Sequence, residues 1–454
     1  MLPLALLLAA PYAEARPEAT DLFCEVYADA PACITGVTTC TQCHDTSGPP
    51  NFNPYGVDIS GALDRGRAFE DALPDALADV EGLDSDGDGV SNLEEISVGS
   101  WPGWSEDVES ECSAQTETTN PDYQLGGYDA AFAWGRVMRD FCGRGPRYEE
   151  RQAFAGEADP EGAVGELLAA CLKSPYWADV LDEIGVSVVQ PVGPDSDGNL
   201  LGNWRWDLRL FAYATSGGRD AGDLLHADYF VVEEPTYSGI LVAIDEPRTD
   251  NEAYAQPLPA EHRFGLITTR YSLAMRVMFS PVPRNLTSHY YRELLGYDIS
   301  LSEGLYPIDE AGIYEWDAPL DVDNVGAWQE GCASCHTTLD PLSYPWSRYE
   351  GIDLEGSNTG AWLEDRATDL LPTTEGYLFG EPVDGPEAWV DQAVNSDAFA
   401  ATVTGVFFRY LMRRDPYTCE AAEFEGLWTG LRDGGRDVES MLHQLVLTDA
   451  YGQP

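Results

Sequence analysis

Two pentapeptides of the form C-x-x-C-H constrain this chain more than any other feature. They are Cys40-Thr41-Gln42-Cys43-His44 and Cys332-Ala333-Ser334-Cys335-His336. Two thiols separated by two residues can add across the two vinyl groups of one haem, and the adjacent imidazole then meets the iron. Chance is a weak rival, because at this Cys and His content one such pentapeptide arises in roughly 0.003 of chains. A zinc ribbon wants its second C-x-x-C about 15–20 residues after the first. Here about 290 positions intervene. A thioredoxin-like dithiol follows a strand in a βαβ unit, and neither site does. Both sites therefore read as covalent haem c sites, with Cys40, Cys43, Cys332 and Cys335 attaching two haems. His44 and His336 are the axial ligands of the two irons.

The sixth ligand decides what such an iron can do. Met or His there gives a six-coordinate electron-transfer centre, whereas an open position allows ligand binding or catalysis. Between His44 and Met138 the chain has no Met and no other His, so the first haem borrows a distant ligand or stays open. Met275 and Met278 lie three apart in a helical run closed by Pro281, and so share a face. Met412 follows Phe408 by four, away from the stripe of Val403, Val406 and Tyr410. These three methionines are the sixth-ligand candidates, set against the plainer role of filling gaps in a core. His226, His262, His289 and His443 are further candidates, set against surface or satisfied core positions.

A second metal signal is local. Residues Asp84 to Glu95, reading DSDGDGVSNLEE, fit D-x-D-x-D-G-x5-E throughout. Asp84, Asp86 and Asp88 supply oxygens at positions 1, 3 and 5, and Gly89 permits the sharp turn. Val90 offers its carbonyl, Asn92 stands at position 9 directly or through water, and Glu95 closes the shell. The runs Phe69 to Val80 and Asn92 to Val98 are the flanking helices. The competing reading is a solvated acidic turn. A single loop of this kind in an exported protein points to a structural calcium, with a Kd of about 10⁻⁴–10⁻³ M.

The 454 residues carry 79 Asp and Glu against 25 Lys and Arg, a net charge of −54. That balance excludes nucleic acid or anionic lipid as a partner recognised through a general basic footprint. Lys173 is the one lysine. Hydrophobic residues make up 44% of the chain, too many for a disordered acidic polymer. Residues 1–15 read as a signal peptide, an apolar run followed by an Ala13-x-Ala15 cleavage site. No stretch is long enough for a transmembrane segment. Outside the two pentapeptides stand Cys24, Cys33, Cys112, Cys142, Cys171 and Cys419, enough for three disulfides in an oxidising compartment. Proximity in sequence pairs Cys24 with Cys33 and Cys112 with Cys142.

Periodicity makes the fold class mainly α, and with the two haem motifs the expectation is a multi-domain helical c-type cytochrome with long loops. Residues 17–120 form an N-terminal haem module with the acidic loop, and 121–325 a helical middle domain. Residues 326–372 hold the second haem module, and 373–454 a C-terminal helical domain. Helix faces are legible at Trp204, Leu208 and Phe211; at Val403, Val406, Phe407, Tyr410 and Leu411; and at Val438, Met441, Leu442, Leu445 and Val446. Strand signals are confined to Val186–Val189 and Tyr229–Val232.

The stretch from Gly331 to Ile352, with C-x-x-C-H followed by Asp340-Pro341-Leu342, resembles the haem module of planctomycete- and myxobacterial-type c-type cytochromes. The likeness covers roughly 160–454, through Ser280–Asn285, Leu294–Gly296, Asp397–Phe399, Val406–Arg414 and Leu447–Tyr451. Around Met275 the chain departs from that pattern. The N-terminal module looks like haem-plus-calcium segments of bacterial surface cytochromes. The resemblance implies an exported c-type cytochrome. The expectation is thus a dihaem electron carrier, periplasmic or at the cell surface, serving redox partner proteins. The alternatives are a dihaem oxidoreductase, peroxidase-like or acting on an extracellular organic substrate, and a calcium-stabilised surface scaffold.

Overall fold

The computed structural model describes residues 18–34, 42–44, 52–64, 66–103, 127–191, 202–234, 240–246, 248, 258–280, 282–299, 333–354, 358–366, 375–417 and 420–453. The expected leader at 1–15 and Cys40, Cys112, Cys332 and Cys419 lie outside them. The fold is mainly α. Two compact units form, Met1–Ala114 with Tyr417–Ala422, and Gln115–Pro416 with Glu423–Pro454.

The first unit contains α1 (Glu18–Val26), α2 (Pro31–Ile34), α3 (Pro54–Ala62), α4 (Phe69–Val80) and α5 (Asn92–Val98). In α4, Ala72, Leu73, Ala76, Leu77 and Val80 recur at helical spacing and are all buried, while Asp71, Asp75 and Asp79 face out. Phe23, Tyr55, Ile59 and Ile96 complete that core. Burying one such large apolar side chain contributes about 1.5–3 kcal/mol. The Cys24–Cys33 disulfide ties α1 to α2, as sequence proximity indicates.

The second unit opens with α6 (Ala130–Asp140), α7 (Tyr148–Phe154), α8 (Pro160–Cys171), α9 (Pro175–Val189), α10 (Arg205–Ala214) and α11 (Asp223–His226). An antiparallel hairpin follows, β1 (Phe230–Glu233) on β2 (Leu241–Ile244), with Phe230 opposite Ile244. Next come α12 (Arg270–Ser272), α13 (Arg284–Leu295) and α14 (Ala333–Ser343). A second hairpin pairs β3 (Glu375–Leu378) with β4 (Glu381–Asp384). The unit ends with α15 (Gly385–Val394), α16 (Asp397–Met412), most of α17 (Ala421–Asp433), α18 (Val438–Leu445) and α19 (Asp449–Gly452). One continuous core runs through it, from Ala133 and Val137 through Trp346 and Trp389 to Phe407 and Tyr451.

Helix starts follow the side chains that satisfy orphan amides. Ser174, Ser396 and Thr448 accept from the amides of Trp177, Phe399 and Tyr451, and Asp129 and Asp437 each accept from two. Each such cap stabilises its helix by about 1 kcal/mol. The same physics corrects one expectation. Val186–Val189 is no strand but the last turn of α9, whose Trp177, Val180, Leu181, Ile184 and Val188 are buried along one face. Packing of that face overrides the β propensity of the valines. The sequence-proximity pairing of Cys112 with Cys142 is corrected too. Cys142, just beyond α6, is bonded to Cys171 at the end of α8, because those two helices pack together.

Candidate haem and calcium sites

Cys335 and His336 lie on the first turn of α14, and Cys335, half-buried against the main core, is outside any disulfide. One turn on, the fully buried Asp340 places its Oδ1 2.9 Å from His336 Nδ1. Arg284, the first residue of α13, reaches across to the same carboxylate. Its Nε donates to Oδ1 at 2.6 Å and its Nη2 to Oδ2 at 2.7 Å. Burial pushes this carboxyl up, but the His336 hydrogen bond and the Arg284 pair outweigh it and hold it below the usual range. An ionised carboxylate only accepts, so Nδ1 of His336 is the donor in this pair and Nε2 is the ring nitrogen left on the other side. Thr287 and Ser343 hydroxyls, 2.7 Å apart, add a second tie between α13 and α14.

The methionines are arranged differently from the expectation. After α12 the chain widens into a π-helix over Leu273–Val277 and stops at Met278, whose φ is +51°. The three-residue rule of an α-helix does not hold across that geometry, so Met275 and Met278 do not share a face. Met275 packs beside Trp204 on the cluster of Val189, Leu208 and Tyr271. Met278 is exposed, and its carbonyl accepts from the Ile352 amide at 2.6 Å. Met412 Sδ lies 3.3 Å from Arg136 Nη2, which also donates to the Leu411 carbonyl. Of the candidate histidines, His262 stacks on Trp362 at 4.1 Å between ring centroids, and His226 Nε2 stands 3.4 Å from Asp391. His443 lies in the last turn of α18.

At the first pentapeptide, Cys43 and His44 are described. Asn53 clamps the motif to α3: its backbone amide donates to the Cys43 carbonyl at 3.1 Å, and its Nδ2 to the Gln42 carbonyl at 3.0 Å. Its Oδ1 accepts from the Gly56 amide as the helix cap. Gly56 is required by this approach, since a Cβ there would stand 1.9 Å from the Cys43 oxygen. His44 stacks on Phe52 with centroids 4.7 Å apart. Sequence reasoning missed Asn53, although Asn-Pro ahead of an apolar run is a helix-start signal.

Between α4 and α5, carboxylate oxygens of Asp84, Asp86 and Asp88 lie within 4.8 Å of one another. Gly87 and Gly89, with φ of +81° and +101°, let the loop fold back. Asp84 accepts from the amides of Gly87 and Gly89, and Asp88 from that of Val90. Glu95 at position 12 is fully buried, a setting carboxylates occupy when paired or on a metal. At position 9, the Asn92 side chain also ties the loop together: its Nδ2 donates to the Val80 carbonyl at 2.7 Å and its Oδ1 accepts from the Ser85 amide. Buried at the start of α5, that side chain braces the two loop ends.

Two buried titratable groups were not singled out as a pair by the sequence. Asp207, on the apolar face of α10, has its pKa pushed up to about 8 by burial, against the opposing influence of nearby Thr269 and the charge of Arg276. His289 on α13 is pushed down to about 3, by burial first and then by Arg276 and Arg292. Both feel the charge of Arg276, which the π-helix carries. Comparisons with protein-family models, curated proteins and solved structures find no match for this chain. No helix among the described residues is long and apolar enough to cross a membrane.

Proposed function

We propose that this protein is an exported dihaem c-type cytochrome that passes electrons between partner proteins in the periplasm or at the cell surface. One observation carries the reading. In the second C-x-x-C-H, His336 is fixed through Nδ1 by a buried carboxylate, with Nε2 available as an axial ligand and Cys335 outside any disulfide beside it. That arrangement fits an iron-binding histidine, whose other ring nitrogen characteristically meets such a partner. When bound, haem supplies reversible one-electron exchange. The chain's own residues attach it through Cys40, Cys43, Cys332 and Cys335 and present His44 and His336 to the irons. Disulfides Cys24–Cys33 and Cys142–Cys171 favour an oxidising compartment. The net charge of −54 selects partners that present basic docking faces.

In the same reading calcium stabilises the N-terminal module, held by Asp84, Asp86, Asp88, the Val90 carbonyl and Glu95, with Asn92 at position 9 acting directly or through water. The convergence of the three aspartates, with a buried acid at position 12, supports it. The test is a redox titration of protein matured with haem. Two reversible one-electron steps with little CO binding to the reduced protein uphold the carrier; strong CO binding at either iron moves the function to a haem oxidoreductase.

A further inference from the structure

We infer that Asp340, clamped by Arg284, sets the electron affinity of the second haem by accepting the Nδ1 proton of His336. The inference rests on the haem reading above and assigns a role to two residues outside the C-x-x-C-H motif. A carboxylate on the far side of an axial imidazole makes that imidazole a stronger donor. A stronger donor favours ferric over ferrous iron and so lowers the reduction potential of that centre. The geometry supplies both the carboxylate and a restraint on it. His336 Nδ1 and Arg284 Nε both address Asp340 Oδ1, at 2.9 and 2.6 Å. Oδ2 is held by Arg284 Nη2 at 2.7 Å. Arginine therefore competes with histidine for one oxygen, and the strength of the histidine hydrogen bond is a balance between them.

The pair also locks orientation. Asp340 stands on the same helix as His336, one turn later, and has no exposed surface. Arg284 comes from α13 and is mostly buried. Neither carboxylate oxygen can turn away without leaving a buried charge uncompensated, so the His336 ring plane and tautomer are fixed before any haem arrives. Asp340 and Arg284 are positioning residues in this account.

A purely structural ion pair makes a different prediction from a tuning pair. Asp340→Asn and Arg284→Gln break the same bridge, so a structural role gives both variants the same kind of defect. A tuning role gives opposite signs. Asp340→Asn weakens the acceptor, and the midpoint potential of one haem rises. A ten-fold change in the reduced-to-oxidised ratio, about 59 mV for one electron, is expected. Arg284→Gln frees Oδ1 for His336, and the same midpoint falls. The other midpoint stays in place in both variants and serves as the internal reference.

The experiment is a spectroelectrochemical titration of the full chain and both variants, after covalent haem content is measured on each. Axial-imidazole signals in the paramagnetic NMR spectrum provide a second readout. Opposite shifts of one midpoint, with those signals displaced, uphold the inference. Unchanged midpoints, or shifts of the same sign, in protein carrying both haems overturn it and leave the cytochrome reading standing. Absence of haem from the parent protein overturns both. Should Asp340→Asn fail to fold, Arg284→Gln decides alone: a fall upholds the tuning role and an unmoved potential overturns it.

Discussion

Replacing Asp207 by Asn tests whether the interior of the second unit holds a proton at neutral pH. The carboxyl's pKa is pushed from 3.8 to about 8 by burial, with Thr269 and Arg276 pulling the other way. Because the folded value is raised, the folded state keeps a proton that the unfolded chain releases above pH 4. Stability contributed by that proton is present below pH 4 and is lost as pH rises through about 8. Each unit of pH in the window costs about 1.4 kcal/mol. Between pH 5 and 8 the parent therefore loses about 4 kcal/mol that Asp207→Asn retains. That is a large fraction of the 5–15 kcal/mol typical of a domain. Urea unfolding of both proteins at the two pH values, followed by tryptophan fluorescence, measures the difference. All other carboxylates cancel between parent and variant. Parallel pH dependence of the two proteins would refute the reasoning and mean that Asp207 is ionised inside the fold.

Three further outcomes are expected. Asp84→Ala combined with Glu95→Gln lowers the melting temperature only when calcium is present. At 10 mM calcium a Kd of 10⁻⁴–10⁻³ M corresponds to about 1.4–2.7 kcal/mol, and equal melting of parent and variant in calcium removes the loop from the account. Gly56→Ala forces a Cβ against the Cys43 carbonyl. It destabilises the first unit by about 1–3 kcal/mol and lowers the haem-to-protein ratio, whereas unchanged melting and haem content would deny the clamp. Replacing Cys142 and Cys171 together by Ala opens a loop of sequence separation 29. The cost is roughly 3–4 kcal/mol in thermal or urea unfolding, and no loss at all would show that the bond is not formed.

Legibility varied with the range of the interaction. The helices flanking the acidic loop were readable to the residue, because a D-x-D-x-D-G loop dictates where the chain leaves and re-enters helix. The stripe of α18 was readable too, since it buries a single face at helical spacing. That of α16 is turned: Val403, Phe407 and Leu411 are buried as read, but Phe399, Ala400, Thr404 and Phe408 line the buried face in place of the half-buried Val406 and Tyr410. Val186–Val189 misled because three valines in four residues say nothing about the Ser174–Pro175 start twelve positions earlier. Met275 and Met278 misled for a related reason. A π-helix changes the spacing rule, and what ends it is a hydrogen bond to Ile352, far along the chain. Asp340 was accessible in principle, four residues after His336 on one helix. Arg284 was not: 56 positions separate it from its carboxylate, and only the packing of α13 on α14 joins them. Cys171 stands 29 positions from Cys142, no farther than Cys112 does, so sequence distance could not choose between them and the packing of α6 on α8 does.

Every functional statement above rests on covalent haem. The most direct test is intact mass together with the haem c absorption spectrum, on protein exported from a host with c-type maturation. The account predicts two covalent haems per chain, reduced to one by Cys332→Ser with Cys335→Ser. Protein that is exported in good yield and carries no haem would contradict it, and would return the four motif cysteines to disulfide or zinc chemistry.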